Sequence, residues 1–495
     1  MMSRKLAIII GGGLGGLSLA SLLAKEGLDV YLFEKNNHLG GRINFFQEKG
    51  YFFDMGPSWL LMDDIFDYFF KLVNKNFYEE LDLIKLDPIF KIFFEDGESI
   101  TFYSDISKNE EIFEKLEKNS FKKFVKYINL MEEMYFLIRD KFIFNEINFR
   151  NFFDLDLIKL MAKNNPFKNL DSGIKKIFNN EKIIKTLEFS SLFLGTDPKE
   201  SLFIFGLINY FLFKRGVYYP KGGIYKIVEK IVDINNNLGV NMYTNKNVKE
   251  IIIENGRANG VILDDGEYLR SDLVISNADL YHTEMKLITN KKYRSYNDQF
   301  WKKIKIAPSA FIIYLGLNEK IDNLVHHNFY FCDDWNLNFK EIFNHNNLPT
   351  NPSFYISVAS KTDDMIVPKG KEQFFILVPI SAGLKITEND KYLFRDKIYK
   401  KIEEKFNISK LESLIELEKF FILDDFISLY NSFQGTALGP IHNIYQTLFR
   451  PKNKSKKVNN LYYVGSYVQP GIGMPMVIAS AIITYKRILK DLTKK

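Results

Sequence analysis

Gly11-x-Gly13-x-x-Gly16 stands between an apolar run, Leu6–Ile10, and a helical stretch, Leu14–Glu26. Glycines at this spacing suit a pyrophosphate cradle. The first permits the tight turn, the second lets the main chain approach the phosphates, and the third lets helix and strand pack closely. The N–H groups at the helix start favour an anion. Glu34 ends the next apolar run, Val30–Phe33, about 20 residues on, where a carboxylate can accept from ribose hydroxyls. Dinucleotide binding is the chemistry these residues predict.

The triplet alone does not separate NAD from other dinucleotides. Gly40-Gly41-Arg42 adds a second close backbone approach and a guanidinium, which suits the pyrophosphate of an extended, permanently bound cofactor. Asp54-Met55-Gly56-Pro57-Ser58-Trp59 offers a further tight turn. At the far end, Tyr463-Val464-Gly465-Ser466 closes a strand and Gln469-Pro470-Gly471-Ile472-Gly473-Met474-Pro475 leads into a helix. Proline in the first helical turn costs no hydrogen bond. The positive end of that helix can stabilise charge that collects on a cofactor ring as it is reduced.

The elements that must position these residues form a βαβ opening, with Gly27 closing the first helix. Residues 43–110 alternate short strands and turns, such as Ile89–Phe94 before Asp96-Gly97. Helical periodicity takes over at about 110–215, where Phe121, Phe124, Val125, Ile128 and Met131 mark one face. The α/β pattern returns at 222–290, with a helix at Ile224–Asn235 and strands at Val248–Ile253, Gly260–Leu263 and Leu273–Ser276. Strands at Ala310–Leu317, Ser353–Val358 and Gln373–Pro379 follow, then a helix at Asp396–Phe406. The chain closes on the strand Leu461–Val464 and a helix from about Pro475 to Leu489. The expected organisation is a discontinuous nucleotide domain (1–75, 220–290, 440–495), a sheet-based domain (76–110, 291–439) and a helical lid (111–219).

Composition narrows the function. A chain of 495 residues with 46% hydrophobic and 26% charged residues has ample material for a large core. A net charge of +6 is too mild for a nucleic-acid partner, and basic runs such as Lys452–Lys457 read as solvated loops. The single cysteine, Cys332, allows no internal disulfide and fits a reducing compartment, the cytoplasm. Cysteine and histidine supply no metal-ligand spacing. Leu6–Ala24 is uncharged and near membrane-spanning length, but five of the six positions 11–16 are glycine, so a strand, turn and helix explain it better. Ser201–Phe213 is too short to span and reads as a buried or interfacial segment.

The layout resembles the flavoprotein superfamily of amine oxidases and carotenoid desaturases, and most specifically the bacterial-type phytoene desaturases. The resemblance runs from residue 5 to about 490 and is weakest in 110–215. Besides the dinucleotide motif and Gly40-Gly41-Arg42, it rests on Tyr219-Pro220-Lys221-Gly222-Gly223, Ser276-Asn277-Ala278-Asp279, Pro308-Ser309-Ala310 and Tyr314-Leu315-Gly316-Leu317. It also rests on His326-His327-Asn328, Pro352-Ser353-Phe354-Tyr355, Gln446-Thr447 with Arg450-Pro451, and the turn up to Pro475. Val468-Gln469 stands where many members have Thr-His, and Ser466-Tyr467 replaces a commoner Ala-Ser, so the substrate subtype stays open.

The resemblance implies an α/β fold with a Rossmann-like, discontinuous FAD-binding domain, a mixed-sheet substrate domain and a helical lid. It implies FAD held by Gly11, Gly13, Gly16, Glu34, Gly40, Gly41, Arg42, Gly56, Pro57, Ser58, Val248, Gly465, Gly473, Met474 and Pro475. The implied reaction moves hydride from a carotenoid precursor, phytoene, to the flavin, followed by proton loss and a new conjugated C=C bond. Quinone or oxygen is the implied final acceptor. No residue is legible as the proton acceptor; His326, His327 and Tyr314 are candidates by family position alone. A C30 or otherwise modified carotenoid, a carotenoid isomerisation, an amine oxidation and simple carriage of carotenoid remain alternative readings.

A long apolar polyene lives in the bilayer, so such an enzyme is expected to dock peripherally on a membrane. Phe142, Phe144, Phe149, Phe152, Phe153, Leu157 and Phe167 stand among Lys141, Arg150, Lys159, Lys163 and Lys168, the pattern of an interfacial helix. The same stretch reads equally as a helical lid buried on the rest of the protein.

Overall fold

The computed structural model describes residues 4–147, 166–343 and 347–493. Five parallel strands form the nucleotide sheet in the order Leu461–Tyr463, Leu273–Ser276, Leu6–Ile10, Asp29–Phe33, Asn241–Tyr243. Three separate stretches of chain therefore meet in one sheet. Ala7–Ile10 is buried, as a central parallel strand covered on both faces must be. The helix Leu14–Lys25 lies against the helices Met474–Thr493 and Lys226–Asn237. Asn235 ties this layer together: its Nδ2 donates to Leu17 O at 3.1 Å and its Oδ1 lies 3.0 Å from Ser21 Oγ. The uncharged Leu6–Ala24 run is thus split between a strand and a helix. No helix among the described residues is long and apolar enough to cross a membrane.

The second sheet has seven strands in the order Ile415–Phe421, Ser309–Leu317, Glu372–Ile380, Phe354–Ser357, His327–Phe331, Phe90–Phe94, Ser99–Phe102. It is mixed: His327–Phe331 runs parallel to Phe90–Phe94 and the other neighbours are antiparallel. The two-residue period of a strand sorts its side chains. Phe311, Ile313 and Leu315 pack with Phe394, Ile398 and Ile402 of the helix Glu388–Phe406, whereas Ala310 and Ile312 face the central cavity. That helix begins two turns before the expected Asp396. Its first turn, Glu388–Lys391, is polar, and a Thr387–Asp390 capping box starts it.

The helical layer is led by Ser120–Ile138, whose buried face is Phe124, Tyr127, Ile128, Met131, Met134 and Tyr135. The apolar segment after Ser201 becomes three short helical turns, Phe203–Gly206, Leu207–Tyr210 and Phe211–Arg215, and is mostly buried. Of the aromatic and basic stretch, Phe149, Arg150, Phe152, Phe153, Leu157, Lys159 and Lys163 lie outside the described residues. Phe144 is buried, Phe142 lines the cavity, and Lys168 Nζ stands 4.1 Å from the Phe203 ring centroid.

Candidate functional site

The glycine loop leaves the strand Leu6–Ile10 and starts the helix Leu14–Lys25 with Gly13 at the N-cap. Gly11 takes a φ of +95°, which an L side chain would resist. Gly40 N–H donates to Gly12 O at 2.7 Å, so the two glycine loops lie backbone to backbone. A Cβ on Gly41 would stand 3.1 Å from Gly13 Cα, and one on Gly56 would meet Arg42 O at 2.3 Å. This layering needs the residues it has.

Glu34 is buried at the end of its strand and lines the cavity. Its carboxylate accepts Gly12 N–H at 2.8 Å and Asn36 N–H at 2.9 Å. Burial raises its pKa, against the pull of those two donors. Arg42 Nη2 donates to Ser432 Oγ at 2.9 Å, while its buried Nε has no protein partner among the described residues. The helix Met474–Thr493 starts at the opposite wall, where Gly473 O accepts Val477 N–H at 2.9 Å. Its first-turn N–H groups have no intrahelical acceptors and lie on the cavity side.

One cavity of about 630 Å³ connects these features. It is lined by Gly11, Gly13, Glu34, Gly40, Gly41, Arg42, Gly56, Pro57, Ser58, Val248, Gly465, Gly473, Met474 and Pro475. Gly16 does not line it: a Cβ there would meet Gly11 O at 2.3 Å, so its role is to let the loop close behind the site. Beyond Ser58 the wall becomes aromatic, with Trp59, Phe189, Phe193, Phe329 and Phe331. The charged lining groups Glu34, Lys35, Arg42, Lys246 and Asp279 belong to the glycine-loop end.

The sequence profile of the flavin containing amine oxidoreductases matches residues 14–489. The chain belongs to that family. Within it the chain stands with the carotenoid desaturases. It is 35% identical over 489 residues to a carotenoid 3,4-desaturase of Haloarcula japonica, with 98% of each chain covered. It is 29% identical over 490 residues to a zeta-carotene-forming phytoene desaturase of Myxococcus xanthus, covering 97% of this chain and 93% of the relative. An oxidoreductase from Methanosarcina mazei shares the fold at a TM-score of 0.65 and 18% identity, covering 99% of this chain and all of the other. This flavin-family chain is an oxidoreductase, and its residues fit the group the family carries. The orphaned Arg42 Nε and the space in front of Gly473, where a Cβ would touch only Pro475 Cδ at 3.9 Å, suit an anionic pyrophosphate and a flat ring.

Several cavity residues were missing from the expected set. Asn277 packs against the glycine loop, Asp279 accepts the Tyr281 and Phe433 N–H groups, and Tyr355 joins the aromatic wall. The motifs around Asn277 and Tyr355 were visible in the sequence. Their side chains carry no dinucleotide signature, and only the sheet register brings them to the site.

Proposed function

We propose that this chain is an FAD-dependent desaturase that removes two hydrogens from a saturated stretch of a carotenoid precursor, with phytoene as substrate. One observation carries the reading: a cavity joins a glycine cradle, Glu34 and Arg42 to an aromatic wall that, among the described residues, holds no charged group. The cofactor supplies the two-electron acceptor for hydride. Gly11, Gly13, Gly40 and Gly41 admit its pyrophosphate, with Arg42 Nε and the helix N-terminus at Gly13 as donors. The helix from Met474 would stabilise, at its positive end, the charge that the cofactor ring gains.

A hydrocarbon offers no hydrogen bond, so orientation rests on shape. Trp59, Phe189, Phe193, Phe329 and Phe331 grip the chain by apolar contact and keep water from the cation left by hydride loss. Quinone or oxygen then takes the electrons. The substrate gains little by leaving the bilayer for an equally apolar cavity, so the enzyme docks on the membrane to receive it. That docking is tested by flotation with anionic vesicles. Replacing Phe149, Phe152 and Phe153 by Ser should lower the floating fraction, and parent-like flotation would move the docking face elsewhere.

The deciding experiment is expression in cells that accumulate phytoene and, separately, its C30 analogue, with pigments identified by absorbance and mass. New double bonds from phytoene support the proposal. Changed geometry at constant mass would mean isomerisation, released amine products amine oxidation, and unchanged pigment simple carriage. A second reading, 3,4-desaturation of a carotenoid other than phytoene, is favoured by the higher identity to the Haloarcula relative. Feeding such a carotenoid separates the two.

A further inference from the structure

Ser58 Oγ lies 2.8 Å from Tyr355 Oη, and Tyr355 Oη lies 2.7 Å from His327 Nδ1. Ser58 and Tyr355 line the cavity where its glycine-loop end gives way to the aromatic wall. His327 is fully buried behind them. Trp59 is stacked flat on its ring, with centroids 3.7 Å apart and planes 13° apart. His327 Nε2 has no partner among the described residues. A hydroxyl, a phenol and an imidazole in line are a costly arrangement inside an apolar wall unless they have work to do.

We propose that Tyr355 and His327, aligned by Ser58, form the relay that takes the proton lost from the substrate. The proposal rests on the desaturase reading above. Once hydride has left one carbon, the C–H bond of the neighbouring carbon breaks and its electron pair becomes the new C=C bond. Its proton goes to Tyr355 Oη as the phenolic proton passes to His327 Nδ1, giving an imidazolium. That proton ends on the quinone or oxygen acceptor, which takes the two electrons and both hydrogens. Tyr355 faces the substrate; Ser58 and His327 act through it as positioning residues.

The chemistry suits a weak base. Burial, with His326 beside it, holds the His327 pKa well below its usual value, so the imidazole rests neutral. A C–H next to an allylic cation is far more acidic than an imidazolium, so a strong base is unnecessary.

Tyr314, His326 and His442 are each engaged at one side-chain atom. Tyr314 Oη donates to Met55 O at 2.8 Å, and His326 Nδ1 is paired with Thr362 Oγ1 at 2.7 Å. His442 Nε2 accepts Ile472 N–H at 3.2 Å, and Arg450 beside it opposes a second positive charge. Glu34 and Asp279, the carboxylates on the described cavity wall, are bound to backbone N–H groups at the glycine-loop end.

Tyr355→Phe removes only the hydroxyl; His327→Gln keeps an acceptor for Tyr355, and His327→Leu removes it. With FAD bound and phytoene supplied in vesicles, Tyr355→Phe and His327→Leu should each lose on the order of 100-fold in product per bound flavin. His327→Gln keeps the hydrogen bond from Tyr355, but its amide cannot take the proton, so it should lose as much as His327→Leu. Histidine-¹⁵N spectra of the parent without cofactor should show His327 neutral, with Nδ1 as acceptor, and that signal should shift in Tyr355→Phe. The relay is overturned by parent-like turnover per flavin in Tyr355→Phe, by a roughly tenfold or larger recovery in His327→Gln over His327→Leu, or by a protonated Nδ1 in the resting parent. A parent that binds FAD but makes no new double bond overturns the desaturase reading itself.

Discussion

Asn277 Nδ2 donates to Gly11 O at 3.1 Å, joining the end of the strand Leu273–Ser276 to the glycine loop 266 residues earlier. Its amide occupies the space that side chains at Gly13 and Gly15 would need, where a Cβ would lie 2.9 and 2.7 Å from it, and it lies 3.4 Å from where a Cβ on Gly465 would stand. One side chain thus sets the spacing between the amino-terminal loop and the carboxy-terminal turn. Asn277→Leu should destabilise the chain by about 1–3 kcal/mol through overpacking. It should also lower flavin content more than a surface substitution of equal cost, measured by urea melts beside the flavin-to-protein absorbance ratio.

Glu34→Ala should weaken cofactor binding. A charge-assisted hydrogen bond to a ribose hydroxyl is worth about 1.5–3 kcal/mol, roughly ten- to hundredfold in affinity. The structure adds a second effect. Losing the carboxylate strands the Gly12 and Asn36 N–H groups, so the cofactor-free chain should melt earlier as well. Flavin fluorescence titration and melting of the cofactor-free variant measure the two effects separately.

Gly473 takes a φ of +105°, a conformation that a side chain resists before it meets any neighbour. Gly473→Val should therefore disturb the first turn of the helix Met474–Thr493 both by backbone strain and by filling the space toward the ring. Loss of one preorganised donor corresponds to about 3 kcal/mol, or roughly a hundredfold in rate. Turnover per bound flavin is the quantity to compare. A parent-like value would place this turn away from the reacting ring.

Asp54 accepts the Ile224 and Tyr225 N–H groups at 2.8 and 3.0 Å, yet burial of its carboxyl raises its pKa to about 7. An acid whose folded pKa lies above its unfolded value stabilises the fold most when protonated in both states. Its contribution is therefore full below about pH 4 and lost as pH rises to about 7, by up to about 4 kcal/mol. Asp54→Asn should flatten the stability–pH curve of the cofactor-free chain in that window, as read from urea midpoints at each pH.

The cradle was legible in the sequence because its constraints are local. Gly11, Gly13 and Gly16 must turn and pack within a few residues of one another, Glu34 ends the adjacent strand, and Gly473 to Pro475 start a helix; no distant contact is needed to read them. Tertiary structure decided what lies opposite. The pairing of His327–Phe331 with Phe354–Ser357 sets Tyr355 against Phe329, and the hydrogen bond to His327 Nδ1 and the stacking on Trp59 follow from that packing. Gly16 belongs with the local constraints: its spacing assigns it to close packing, and a Cβ there would meet Gly11 O at 2.3 Å. Side chains 28 to 297 residues apart meet only when sheet register and burial choose which faces close together, and no period or spacing in one chain records that choice.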